Sequence, residues 1–175
     1  MEVSHNLRIC QAMIELGFDC SRFSKRLDRM CAGVTLGDPI SAYLTSEKGK
    51  LLGTDEIGGK IYFFSTRYVS SELLEKILYY WHDQLALIKL KYDRSYSGGW
   101  KQLVAQTTEK YGSPSREGCR RAIWNDGESV LILDHDLAAY ITASLGDLAF
   151  VLKYLDLQES SAPKLSMYTV RYRDN

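Results

Sequence analysis

Histidine is scarce in this 175-residue chain: there are three, His5, His82 and His135. Neither H-E-x-x-H nor G-x-S-x-G nor a glycine-rich nucleotide fingerprint occurs, so no metalloprotease, serine-hydrolase or dinucleotide motif points to a chemistry. The four cysteines, Cys10, Cys20, Cys31 and Cys119, have no C-x-x-C spacing. They stand in a chain long enough to bury a core without cross-links, so free buried thiols are expected. Net charge is also missing, with 22 Lys and Arg against 22 Asp and Glu; no global field steers the protein to nucleic acid or to an anionic membrane. No run approaches the ~18 apolar residues of a membrane helix. The first residues carry an early acid and no apolar stretch, unlike a signal peptide. These absences lead to the expectation of a cytoplasmic protein, with no membrane partner and no cofactor.

What is present is tyrosine, 12 against five phenylalanines, a set suited to half-buried strands and contact surfaces. Charge is unevenly placed. Residues 86–125 hold eight basic and three acidic side chains, and residues 126–160 hold one basic and seven acidic. Pairing of these charges between adjacent elements is the plain reading; two faces of opposite sign would instead favour self-association or a charged partner.

The organising stretch is 97–114. Trp100, Leu103, Val104, Thr107 and Tyr111 recur at helical steps, Gly112 suits a left-handed position past the helix end, and Pro114 forbids continuation. Residues 60–66 read as a strand. Residues 76–92 fit either a long helix or a hairpin turning at His82-Asp83-Gln84, and the alternation of Ala86, Ile88, Leu90 and Tyr92 favours the hairpin. Asn125-Asp126-Gly127-Glu128 signals a second hairpin. A turn is expected at Asp134-His135-Asp136, then a strand over 137–142. A last helix is expected with Ser144 as cap and Asp147 reciprocating. Gly53 to Lys60 superficially evokes a P-loop, but Lys60 comes one place late and Ile61 follows, so a hairpin loop is the better reading. Two N-terminal helices are expected, over 4–17 and 21–31.

The fold class that results is α+β: an antiparallel sheet of hairpins with helices packed on one face, preceded by a short helical pair. Residues 1–32 form the helical lead-in, 33–157 the sheet domain, and 158–175 a linker with a tail or edge strand.

On a helix over 21–31, Arg22, Lys25, Arg26 and Arg29 share one face, a basic stripe able to meet phosphates. Ile14-Glu15-Leu16-Gly17-Phe18, then Phe23, Lys25-Arg26, Gly33 and Pro39, resembles the second helix-turn-helix of AraC-type regulators, where a Gly-Phe pair opens the turn and the next helix reads DNA. The likeness covers about 25 residues. Phe18 to Phe23 is one residue shorter than in that family, and four residues separate Val34 from Pro39 where the family has about one.

Three functions from different classes follow. A non-enzymatic binding or inhibitory module would engage another protein through its sheet and aromatic surface, with Tyr80 and Trp81 as contact residues. A nucleic-acid-binding protein would use Arg22, Lys25, Arg26 and Arg29. An enzyme would be centred on His135, where Asp134 and Asp136 flank an imidazole, or on a metal held by His82, Asp83 and His135. The first is preferred, no catalytic residue or metal ligand is assigned, and homo-oligomerisation is carried as a further expectation.

Overall fold

The computed structural model describes residues 22–43, 50–54, 59–69, 71–94, 96 and 98–160, with the backbone alone at 50–54 and 155–160. The elements run β1 (Met30–Cys31), β2 (Val34–Thr35), a 3-10 turn (Ile40–Ala42), β3 (Lys50–Thr54), β4 (Lys60–Arg67), β5 (Leu73–Trp81) and β6 (Gln84–Tyr92). After them come α1 (Gly99–Tyr111), β7 (Arg116–Glu117), β8 (Arg121–Asn125), β9 (Ser129–His135), β10 (Ile141–Asp147) and α2 (Leu148–Ser160). β1 and β2 form a small ribbon. The remaining strands make one antiparallel sheet in the order β3-β4-β5-β6-β10-β9-β8-β7.

The α+β expectation holds, and the hairpins lie where local chemistry put them. β5 and β6 turn at His82 and Asp83, with φ of 51° and 60°. Positive φ at both central residues is the tight-turn geometry whose twist matches that of the flanking strands. β8 and β9 turn through Gly127 at φ 93°. There Asp126 Oδ1 accepts from the N–H groups of Glu128 at 2.9 Å and Ser129 at 2.7 Å. α1 ends as expected at Gly112, φ 87°, whose N–H donates to the carbonyl of Thr108 at 2.8 Å.

The arrangement departs from expectation in how the helices sit. They cover opposite faces of the sheet. α1 packs Val104 and Tyr111 against Ala122, Trp124 and Leu133, and the Trp124 indole N–H donates to the Gly112 carbonyl at 2.9 Å. α2 packs Leu148, Val151 and Leu152 against Ile61, Leu87, Ile123 and Val130. Ile123 alternates with Ala122 and Trp124 along one strand, so the two sets of contacts belong to opposite sides. Both faces of the sheet's central strands are therefore apolar at one end, β6 being buried from Leu85 to Ile88.

The expected helix over 21–31 is also absent from residues 22–31, which run irregularly with bends at Lys25 and Arg29 and then enter β1. Its apolar spacing does not survive: Leu27 is buried, whereas Phe23 and Met30 are 57% and 68% exposed. Tertiary hydrogen bonds hold the strap instead. Ser24 N–H donates to the Asn125 carbonyl at 2.7 Å, Lys25 N–H to the Tyr111 carbonyl at 2.9 Å, and Leu27 N–H to Asp126 Oδ2 at 2.7 Å. Of the linker and tail expected over 158–175, residues 158–160 are instead the end of α2, and residues 161–175, like the helix expected over 4–17, lie outside the described residues.

Two further boundaries move. Asp134 and His135 belong to β9, and the turn begins at Asp136, whose Oδ1 accepts from Tyr140 N–H at 2.9 Å. Ser144 and Asp147 lie in β10 rather than capping a helix; α2 starts directly at Leu148, whose N–H donates to the Glu128 carbonyl at 2.9 Å.

Candidate functional site

The residues singled out from sequence are dispersed. Residues 22–29 form no helix and bend at Lys25 and Arg29, so Arg22, Lys25, Arg26 and Arg29 are not stacked on one helical face. Arg29 is spent internally: its guanidinium donates to Asp147 Oδ1 at 2.8 Å and Ser129 Oγ at 2.9 Å, fastening the strap to the junction of β10 and α2. Lys25 and Arg26 are exposed. The geometry that gathered these four into one basic face, and that the helix-turn-helix likeness needed, is not there.

Tyr80 is a core residue with no exposed surface, enclosed by Tyr43 and Phe64 at ring distances of 5.8 and 5.5 Å. Its ring and hydroxyl are not presented at the surface. Trp81 is half-buried against His82 and Phe150, with Lys153 Nζ 5.5 Å from its ring centre.

His135 lies against Trp100, ring centres 5.7 Å apart and planes within 14°. Its flanking carboxylates are turned to other work, Asp134 to Arg121 and Asp136 to its own turn. His82 sits at the opposite end of the sheet: His135 is in register with Ile141 and Ile141 with Tyr92, whereas His82 precedes Gln84. Eight strand steps of ~3.4 Å from Gln84 to Tyr92 come to about 27 Å. The juxtaposition of His82, Asp83 and His135 does not form, and among the described residues no group of three His, Cys, Asp or Glu is placed to hold a metal.

What the structure does bring together is visible only across strands. On the face that carries α2, side chains fall into rows perpendicular to the strands. One row is apolar and lies beside the helix: Phe63, Tyr79, Leu87, Gly146 and Val130. The next is mixed: Ser65, Ile77, Lys89, Ser144, Ile132, Ile123 and Arg116. The third is polar throughout, running Arg67, Glu75, Lys91, Thr142, Asp134 and Arg121 across six strands. Away from the helix the face thus turns from apolar to charged within two rows.

Local bonds order this end. Ser65 Oγ donates to Glu75 Oε1 at 2.6 Å, and Arg121 Nε to Asp134 Oδ1 at 2.6 Å. Lys91 Nζ and the Arg94 guanidinium lie 4.4 and 4.6 Å from the centre of the Tyr140 ring, a cation–π arrangement that holds both side chains. Lys89 is half-buried. Burial pushes its ammonium below the usual lysine range, while the carboxylates of Asp134 and Glu75 pull it back up and Lys91 lowers it again. The two charge blocks of the sequence meet directly in an ion pair on this face, Arg121 with Asp134. Sequence reasoning missed the site because its members come one from each of six strands and no two are adjacent in the chain.

Residues 12–164 match the model of the TP0088 domain. The chain belongs to that family. No match to it is found among curated proteins or among solved structures. Across the described residues of this TP0088 domain, no helix is long and apolar enough to cross a membrane.

Proposed function

We propose that the chain is a non-enzymatic binding module that engages another protein, and that the contact surface is the charged end of the sheet face carrying α2. The observation that carries this reading is the six-strand row from Arg67 to Arg121. Backbone pairing on a rigid sheet fixes the spacing of its members before any partner arrives, which limits the ordering cost of binding. The aromatic surface expected from the sequence is not offered instead: Tyr80 and Trp124 are buried, and Tyr79, Trp81, Tyr92, Tyr96, Trp100 and Tyr140 are half-buried in ring-to-ring or ring-to-cation contacts.

The test is cross-linking of the purified protein in native extract through amine-reactive reagents, read by mass spectrometry. Lys89 and Lys91 are expected among the residues joined to a partner. That partner is expected to be lost when Ser144, between the two lysines and β9, is enlarged by Ser144→Tyr. Cross-links confined to other surfaces, or unchanged by Ser144→Tyr in a correctly folded protein, sink the proposal.

A further inference from the structure

The chemistry of this surface suggests what it receives. Five of the seven charged side chains that β4 to β10 present on the α2 face are basic (Arg67, Lys89, Lys91, Arg116 and Arg121), against Glu75 and Asp134. The patch carries +3 within a chain of zero net charge. Adjacent strands lie ~4.8 Å apart, so Arg67 and Lys91 stand about 10 Å from one another and Lys91 and Arg121 about 14 Å. Thr142, which is buried, and Ser144, half-buried, stand in direct register with Lys91 and Lys89 and keep the strand beside the lysines free of charge.

From this geometry we infer that the charged end of the sheet docks an acidic segment of the partner protein, its carboxylates meeting Lys89 and Lys91. This rests on the binding-module reading above. A nucleic acid is the poorer occupant. Its affinity comes from neutralising many closely spaced phosphates, and here Glu75 and Asp134 interrupt the cations on either side of Lys91 and Thr142. In a peptide, basic residues placed between the acids meet those two carboxylates, which turns a repulsion into register.

The experiment measures fluorescence anisotropy of a short fluorescein-labelled Glu-rich peptide, its Gln counterpart and a DNA duplex of equal charge, against the wild type and Lys89→Gln/Lys91→Gln. The Glu peptide is expected to bind, to weaken about tenfold in the double variant and to recover with Lys89→Arg/Lys91→Arg. The Gln peptide is expected not to bind. Equal binding of both peptides, binding of neither, indifference to the lysines, or tighter binding of the duplex overturns the inference. Circular dichroism and a thermal melt establish that each variant is folded. The same variants used as immobilised bait, read by retention of the partner that cross-linking identifies and so without the mutated amines, separate the two claims. A partner lost with Ser144→Tyr but kept by Lys89→Gln/Lys91→Gln leaves the binding module standing and removes the acidic docking. A partner indifferent to all of them removes both.

Discussion

Gly146 lies against Val151 of α2, and replacing it tests the packing of that helix on the sheet. A Cβ there would stand 2.6 Å from Val151 Cγ2, 2.9 Å from Leu87 Cδ1 and 3.2 Å from the carbonyl oxygen of Ala86. The first two are side-chain ends that must yield, and the third is backbone of the neighbouring strand. Overpacking of this kind costs about 1–3 kcal/mol. Against it, alanine in a strand regains ~0.5–1 kcal/mol of the conformational entropy that glycine loses. Gly146→Ala is expected to lose about 1–2 kcal/mol net, a fall in Tm of roughly 2–8 °C for a chain of this size. Urea melts of Gly146→Ala, Val151→Ala and the double variant form a cycle. Val151→Ala alone leaves a small cavity at a cost of about 1–2 kcal/mol, but in the double variant the new methyl fills it. The pair is then expected to cost less than the sum by ~1 kcal/mol. Additive losses within ~0.3 kcal/mol, or a Gly146→Ala protein as stable as the parent, would show that α2 does not lie over β10.

Two other perturbations address the turn and the aromatic edge. Asp83→Gly relieves a left-handed backbone at φ 60° and is expected to raise stability by ~0.5–1 kcal/mol in a urea melt; a loss would mean that the Asp83 side chain holds the turn. Burial moves the Tyr92 phenol from its ordinary 10 to about 12. Because the folded protein keeps a proton that the unfolded chain releases, stability should be intact below pH 10 and fall between pH 10 and 12. Ultraviolet titration should show one phenol fewer ionising near pH 12 in Tyr92→Phe. Removal of an ordinary step near pH 10 instead would place Tyr92 in solvent.

How much of this was readable beforehand depended on the range of the interaction. His82-Asp83, Asn125 to Glu128 and Gly112 with Pro114 were legible because a turn or a helix end is decided by the φ preferences of two or three consecutive residues. The strap at 22–31 was not. Phe23, Leu27 and Met30 have helical spacing, but bonds to Asn125, Tyr111 and Asp126, distant in the chain, outweigh the i to i+4 ladder. β10 was misread for a different reason. Ile141, Ala143 and Leu145 alternate with Thr142, Ser144 and Gly146 as a strand should, yet Ser144 and Asp147 imitate a capping box and drew the helix boundary forward. The side on which each helix packs, and the charged row itself, depend on register across six strands, and no local pattern encodes that.

The strand order has a consequence for how the molecule comes into being. β3 to β6 form one meander and β7 to β10 another, and they meet only where β6 pairs with β10, Ile88 beside Leu145. On a ribosome the first meander is complete, with Leu85 bonded to Gly37 and Asp38, while the inner edge of β6 from Leu87 to Tyr92 is still bare, and α1 emerges before the β8 and β9 residues it covers exist. Joining the halves closes a long loop and is entropically the late step. Until then an apolar strand edge stays open to any other unpaired strand nearby. Assembly of the nascent chain is therefore most exposed to misassociation in the interval between synthesis of Tyr92 and of Gly146.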